Sequence, residues 1–265
     1  MFCLDVKALY PSVPRLEARD ACEQALKNRT NPTIPTECVL EMLDLVLENN
    51  HFSFNGKNFI QTEGTAIGSH LGMNYASTYL GEWEMELFKN SQFLPAEYWR
   101  YVDDVWGIWE HGLEKLQEFH NLANSLHPRI QTELRFSTHQ ISFLDVDIKL
   151  VNGVIQTDIF SKDTDKHMYL HVTSNHPNSV KNAIPYGLGI RAKRICSEAK
   201  DYKLRHGEIT EYLQKRGYSR NTIDNQLSKV KSLDRTSLLK YNTRKQNTDL
   251  VPLFVTYSNG LPNIH

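Results

Sequence analysis

Tyr101-Val102-Asp103-Asp104-Val105-Trp106 reads as a tight hairpin with an acidic tip, its flanks apolar and its two adjacent carboxylates embedded between them. Working outward from it, the only other strand that ends in an acid is Phe2-Cys3-Leu4-Asp5-Val6, which Tyr10-Pro11-Ser12-Val13-Pro14 then breaks with two prolines. If strand and hairpin are neighbours in one sheet, Asp5, Asp103 and Asp104 meet at a single edge of it. Carboxylates gathered in that way repel one another and raise each other's pKa unless cations neutralise them.

Between these segments the chain alternates helix and turn. Helices are predicted from about Arg15 to Lys27 and after Thr36, the second carrying Val39, Met42, Leu43 and Val46 at helical spacing. His51 to Ile60 reads as a hairpin turning on Asn55-Gly56. A glycine-rich loop from Gly64 to Gly72 leads into a helix with Tyr75, Tyr79, Glu82, Trp83 and Glu86, and Leu113 to Leu126 is amphipathic. Leu144, Val146, Ile148 and Leu150 alternate with Asp145, Asp147 and Lys149 as a strand that returns through Asn152-Gly153 to Val154–Phe160. Thereafter the pattern is helical and basic. Ser179 to Ile184 is a short helix stopped by Pro185, Leu188 to Tyr202 a longer one, and Glu208–Arg216 with Asn221–Lys231 a helix–turn–helix pair split by Gly217-Tyr218-Ser219. The tail from Thr243 is weakly periodic, with a turn at Ser258-Asn259-Gly260.

At 265 residues the chain suffices for one large domain with a small second one, and its composition is that of an ordinary globular protein. No apolar run reaches the length of a membrane span and no signal peptide opens the chain. Cys3, Cys22, Cys38 and Cys196 lack paired ligand spacing, which suggests reduced thiols and a nuclear or cytoplasmic setting. The net charge of −1 conceals an asymmetry: residues 1–150 carry 12 Lys+Arg against 21 Asp+Glu, residues 151–265 carry 18 against 10. A carboxylate-bearing body joined to a basic part that follows a phosphate backbone fits this split; solvated basic helix faces fit it too.

Two or three converging carboxylates suit magnesium, which prefers oxygen ligands and keeps waters. Two such ions about 4 Å apart are the usual equipment for nucleotidyl transfer. Asp145 and Asp147 are expected to face solvent, Trp99, Trp106 and Trp109 to lie in the core, and His167, His171 and His176 to be loop histidines.

Four segments together resemble the palm of reverse transcriptases, in family order. Tyr101-Val102-Asp103-Asp104 looks like its third motif, Leu4-Asp5-Val6-Lys7-Ala8-Leu9-Tyr10-Pro11-Ser12-Val13-Pro14 like its first, and Gln61-Thr62-Glu63-Gly64-Thr65-Ala66-Ile67-Gly68-Ser69 like its second. Phe143-Leu144-Asp145-Val146 looks like the primer-grip strand. The wording Gly-Thr-Ala-Ile-Gly-Ser, with Ser174-Asn175-His176-Pro177 and Arg194-Ile195-Cys196-Ser197, is most similar to Penelope-like retroelements, relatives of telomerase.

The resemblance implies an α+β fold: an antiparallel palm sheet with packed helices over 1–165, then a basic helical thumb or helix–turn–helix region over 166–265. It implies an RNA-directed DNA polymerase that extends a DNA primer on an RNA template from dNTPs with two Mg²⁺ ions, for which Mn²⁺ substitutes. Asp5 and Asp103 would hold the metals, with Asp104 assisting and the Val6 carbonyl as a further ligand. Tyr10 would lie under the incoming sugar, Gly64, Gly68 and Ser69 beside the nucleotide, and Tyr101, Phe143 and Leu144 at the primer. Arg191, Lys193, Arg194, Arg220 and Lys229 would follow the nucleic-acid backbone, with Asn221, Asn225 and Gln226 added if the helix pair reads a groove. Glu63 stands where most of the family has Gln. The family's fingers would precede Asp5, so the resemblance also implies a truncated copy. The alternative is a catalytically inactive nucleic-acid-binding remnant with a helix–turn–helix.

Overall fold

In a computed structural model that describes residues 1–240, the chain divides into two compact units, Met1–Ile141 and a second beginning at Ser142. That division falls before the β-hairpin at Asn152-Gly153, upstream of the boundary at 165 that the change to a helical pattern suggests.

The first unit is built on a four-stranded antiparallel sheet in the order β4-β5-β1-β6, formed by β1 (Phe2–Val6), β4 (Glu97–Tyr101), β5 (Asp104–Ile108) and β6 (Thr132–Phe136). β1 is buried except at Asp5. Phe2, Leu4 and Val6 alternate onto the face covered by helices, and their core continues into α2 (Arg15–Lys27), α4 (Gly72–Asn90) and α5 (Gly112–Leu126) through Ala18, Tyr75, Leu80, Leu87, Leu116 and Phe119. Gly107 on β5 is required by close approach: a Cβ there would fall 2.5 Å from the Phe2 ring and from the Glu97 carbonyl.

Around this sheet lie the short turn α1 (Leu9–Ser12), helix α3 (Thr36–Glu48) and the ribbon β2 (His51–Phe54)–β3 (Lys57–Ile60). The ribbon turns on Asn55 and Gly56, both at positive φ, as a two-residue Asn-Gly hairpin requires. On α3 the structure buries Leu40, Leu43 and Leu47, whereas Met42 and Val46 are exposed. Val39, Met42, Leu43 and Val46 instead line an open apolar groove of about 360 Å³ with Cys22, Leu26 and Tyr75.

The second unit opens with a three-stranded sheet of β7 (Gln140–Phe143), β8 (Val146–Val151) and β9 (Val154–Ile159). Leu144 and Asp145 are not in a strand, as their alternation suggested. Leu144 sits at φ 51 in the turn between β7 and β8, and Asp145 accepts a hydrogen bond from Arg191 Nε at 2.9 Å. Helices α6 (Asn178–Ile195), α7 (Ala199–Lys215) and α8 (Arg220–Lys231) follow, with the short α9 (Arg235–Leu239). Pro185 does not stop its helix: it lies buried inside α6, where it forgoes one hydrogen bond and packs instead. The expected helix from Leu188 to Tyr202 is divided at Cys196-Ser197-Glu198, because Ser197 turns to bond Thr157 on β9. The expected turn at 258–260 lies outside the described residues.

Helices α6, α7 and α8 share a core of Ala192, Ile209, Leu213, Tyr218, Ile223 and Leu227. Gly189 permits the closest approach, since a Cβ there would meet Leu227 at 2.8 Å. Ser219 caps α8 by accepting from the Thr222 N–H. Beside this core, buried Asp158 receives Arg205 through two hydrogen bonds, at 2.7 and 3.0 Å, and the Ile159 N–H at 2.7 Å. Burial raises the Asp158 carboxyl, and the Arg205, Ile159 and Cys196 donors with the Arg205 charge outweigh that, holding it below the usual value. Burial and then Asp158 push the Cys196 thiol up to about 12, which makes it inert at neutral pH.

Arg205→Ala leaves a buried charge without its partner, so urea unfolding of the variant should show a loss of about 3 kcal/mol. The Asp158 carboxyl, lowered in the fold, should contribute fully above its ordinary pKa. Its contribution should fade as pH falls through the lower folded value, and the wild-type and Arg205→Ala melting curves should converge in acid.

Candidate functional site

The register places the acids. Asp5 on β1 is directly opposite Asp104 on β5, Tyr101 on β4 is opposite Asp104, and Glu133 on β6 is opposite Asp5. Residues paired in register share a face of the sheet. One row therefore crosses all four strands as Tyr101–Asp104–Asp5–Glu133, with Trp99, Trp106, Cys3 and Arg135 as the row beside it. Asp103 occupies the turn between β4 and β5, and its carbonyl accepts the Val6 N–H at 3.0 Å. The strand end and hairpin tip picked out by the sequence are thus adjacent.

The tip is more displayed than its apolar flanks suggest. Tyr101 is 62% exposed and Trp99 63%, so Trp99 is not a core residue. Trp106 and Trp109 are partly buried, the latter packed edge-on against Phe2. Val102 adopts φ 57, a conformation that a β-branched residue reaches only at a cost of order 1–3 kcal/mol.

Arg100 supplies the compensation. Its Nη1 donates to the Val102 carbonyl at 3.1 Å, its Nη2 to the Ser77 carbonyl of α4, and its Nε to Glu84 at 2.6 Å. Glu84 also accepts from the Tyr98 hydroxyl at 3.0 Å. This largely buried network fixes the hairpin to the long helix, and nothing in the local sequence marked Arg100 or Glu84.

Glu133 was likewise unmarked, although Thr132-Glu133-Leu134-Arg135-Phe136 carries the alternation of a strand. It pairs with Lys7 Nζ at 2.7 Å, and the Lys7 bond and charge hold its carboxyl below the usual range. On the same face burial raises the Cys3 thiol to about 11.

Among the described residues no three His, Cys, Asp or Glu side chains converge as a ready metal cage. The donor type fits a hard divalent cation: two carboxylates in cross-strand register, a third at the adjoining turn, and the Val6 backbone beside them. His167 stacks on Tyr212 with ring centroids 4.0 Å apart, and His171 bonds Thr173.

The glycine-rich loop lies against the first motif. Thr65 N–H donates to the Tyr10 carbonyl at 2.8 Å, and a Cβ on Gly64 (φ 64) would fall 2.4 Å from that oxygen. Gly64 is therefore glycine because the protein's own Tyr10–Pro11 backbone occupies the space. A Cβ on Gly72 would lie 3.4 Å from the Tyr10 ring, so ring and helix start are neighbours. Gly68 adopts φ 88, and Ser69 Oγ accepts the Gly72 N–H at 2.8 Å at the start of α4.

In the second unit the marked cations engage internal partners. Arg191 holds Asp145, Lys193 sits 4.8 Å over the Tyr202 ring, and Arg194 donates to the Leu238 carbonyl. Arg220 pairs with Asp224, and Lys229 donates to Gln226. Asn221, Asn225 and Lys229 are exposed on α8, and Gln226 is partly buried. Phe143 is partly buried and Leu144 exposed in the β7–β8 turn. No described helix is long and apolar enough to cross a membrane.

Gly64→Ala should displace the loop from Tyr10, costing roughly 2 kcal/mol. Hydrogen exchange at the Thr65 amide, slow in the wild type, should accelerate in the variant.

No curated protein sequence matches the chain. The animal helix-turn-helix domain matches residues 168–228. Among solved structures, telomerase from Candida albicans in complex with a fragment of telomeric RNA superposes with a TM-score of 0.59 at 12% identity, over 86% of this chain and 40% of that one. The Sicinivirus RNA-dependent RNA polymerase gives 0.51 at 14% identity, over 86% of this chain and 50% of its own. Apo telomerase from Candida tropicalis gives 0.50 at 13%, over 85% and 42%. The chain spans half or less of the length of these structures. At such identities the likeness is one of fold: the chain is an α+β protein with a polymerase-like fold, an antiparallel sheet with packed helices, and a helix–turn–helix-like C-terminal region.

Proposed function

We propose that the chain is the palm-bearing part of an RNA-directed DNA polymerase of the Penelope-like retroelement type, extending a DNA primer on an RNA template from dNTPs. The observation that carries this reading is the register Asp5↔Asp104 with Asp103 at the adjoining turn, on a fold shared with telomerase and a viral polymerase.

On this reading Asp5 and Asp103 hold two Mg²⁺ ions, or Mn²⁺ in their place, with Asp104 assisting and the Val6 carbonyl as a further ligand. Bound there, the ions would activate the primer 3′-hydroxyl and steady the leaving pyrophosphate. Tyr10, wedged between the glycine-rich loop and the start of α4, lies under the sugar and excludes a 2′-hydroxyl. Gly68 and Ser69 shape the loop on the nucleotide side. Tyr101, exposed at the hairpin base, braces the primer end, and Phe143 and Leu144 support the primer strand. The enzyme would work wherever the element's RNA meets a DNA end, in the nucleus or cytoplasm.

The match over 168–228 favours a second role for the C-terminal unit, binding duplex nucleic acid, and a chain that kept only this role would be a catalytically inactive remnant. Exposed Lys229 with Lys193 and Arg194 are its backbone contacts, and Arg191 and Arg220 would join them only on leaving Asp145 and Asp224.

Primer extension separates the two. The chain is assayed alone and joined to the fingers of a full-length reverse transcriptase, with magnesium, an RNA template and dNTPs. Asp103→Asn should abolish incorporation; equal incorporation by variant and wild type would remove the catalytic assignment. In duplex binding, Lys229→Ala should reduce the dependence of log K on log salt by about one. An unchanged slope would take Lys229 out of the interface.

A further inference from the structure

Glu63 precedes the glycine of the loop, where most of the resembled family has Gln, and in the structure its carboxylate is engaged within the protein. Arg129, in the connection between α5 and β6, reaches it with Nη1 at 2.6 Å and with Nη2 donates to the Pro11 carbonyl at 2.9 Å. One guanidinium therefore spans the glycine-rich loop and the turn carrying Tyr10, two segments some fifty residues apart in sequence.

On the inner side Arg15 makes a matching pair of contacts, Nε to the Gly64 carbonyl at 3.1 Å and Nη2 to the Gln61 carbonyl. Between the two arginines Thr65 N–H bonds the Tyr10 carbonyl, with Thr65 2% exposed. Gln61 extends the arrangement outward, donating to the Glu63 carbonyl at 2.8 Å and accepting from Asn50 at the foot of the β2–β3 ribbon.

The Glu63–Arg129 pair is half exposed, so its worth to global stability is small. Its geometry is specific all the same, since a planar fork satisfied by two acceptors fixes their separation as a point charge cannot. That separation is the distance between loop and Tyr10 turn. We propose that Glu63 and Arg129 are positioning residues that set the width of the nucleotide cleft at Tyr10, and so tune selection between deoxyribo- and ribonucleotides. The role rests on the polymerase reading above. It differs from a base-facing role for Glu63 by requiring Arg129, which no motif contains.

Two readouts test it, on the full chain joined to the fingers of a full-length reverse transcriptase as in the primer-extension assay. Exchange of the Thr65 amide reports the clasp itself, and magnesium-dependent binding of dATP against ATP on a primer–template reports selection. Glu63→Ala and Arg129→Ala should each speed exchange and reduce the dATP preference by about threefold. The double variant should be no worse than Arg129→Ala, which already removes both arms of the clasp. Arg129→Lys, which keeps the charge and loses the fork, should retain affinity and lose preference. Additive effects, or faster exchange with an unchanged preference, would overturn the positioning role and leave a merely structural contact. If the wild type bound neither nucleotide while the exchange effects held, the polymerase reading would fall and the selection role with it. Unchanged exchange in both single variants would overturn the clasp alone.

Discussion

Two carboxylates placed directly opposite one another on neighbouring antiparallel strands are an unfavourable pair, and the first unit is organised around that pair. Like charges in register destabilise a sheet. Asp5 and Asp104 hold their register because the other side of β1 cannot shift: Phe2, Leu4 and Val6 are buried, and a slip of one residue would exchange them for Cys3 and Asp5. The hydrophobic underside thus sets the electrostatics of the upper face.

The hairpin tip is held by a different device. Val102 is forced to positive φ, and the compensation comes from Arg100, which ties the strained carbonyl to Glu84 and to the Ser77 carbonyl of α4. The same helix begins at Gly72 beside the Tyr10 ring, where Ser69 Oγ accepts the Gly72 N–H. Movement of α4 would therefore be felt at both the acid tip and the glycine-rich loop. The two motifs, distant in sequence, both touch one helix of nineteen residues.

The sequence revealed those parts of this arrangement that depend on local pattern. Helix α2, the Asn-Gly ribbon and the return at Asn152-Gly153 are set by periodicity and turn chemistry, and they appear where expected. The acids were singled out by their setting: an Asp-Asp pair is common in surface turns, and it gained weight only from its apolar flanks and from the company of Asp5 and the other palm-like segments. Contacts chosen by tertiary packing could not be read. Arg129 and Arg100 look like any surface arginine until their carbonyl partners are known. Pro185 reads as a stop because its missing N–H is visible in sequence, whereas the core that buries it is not. On α3 the helical spacing of Val39, Met42, Leu43 and Val46 left the buried stripe open, since a helix apolar nearly all round offers two stripes; the neighbours choose Leu40, Leu43 and Leu47.

The basic character of the second half also changes meaning once partners are assigned. Arg191 and Arg220 are bound to carboxylates, so each presents a near-neutral pair to an approaching phosphate. Arg194 and Lys229 are oriented by a backbone carbonyl and a glutamine amide, partners that fix direction without cancelling charge, whereas Lys193 lies over an aromatic ring and also feels the Asp234 carboxylate. Coulomb attraction to a polyanion depends on net local charge, while orientation governs how much side-chain entropy is lost on contact. By both criteria Arg194 and Lys229 are better suited to a nucleic-acid backbone than Arg191 and Arg220. The formal excess of positive charge in this half is therefore a weaker guide to the interface than the identity of what each cation already touches.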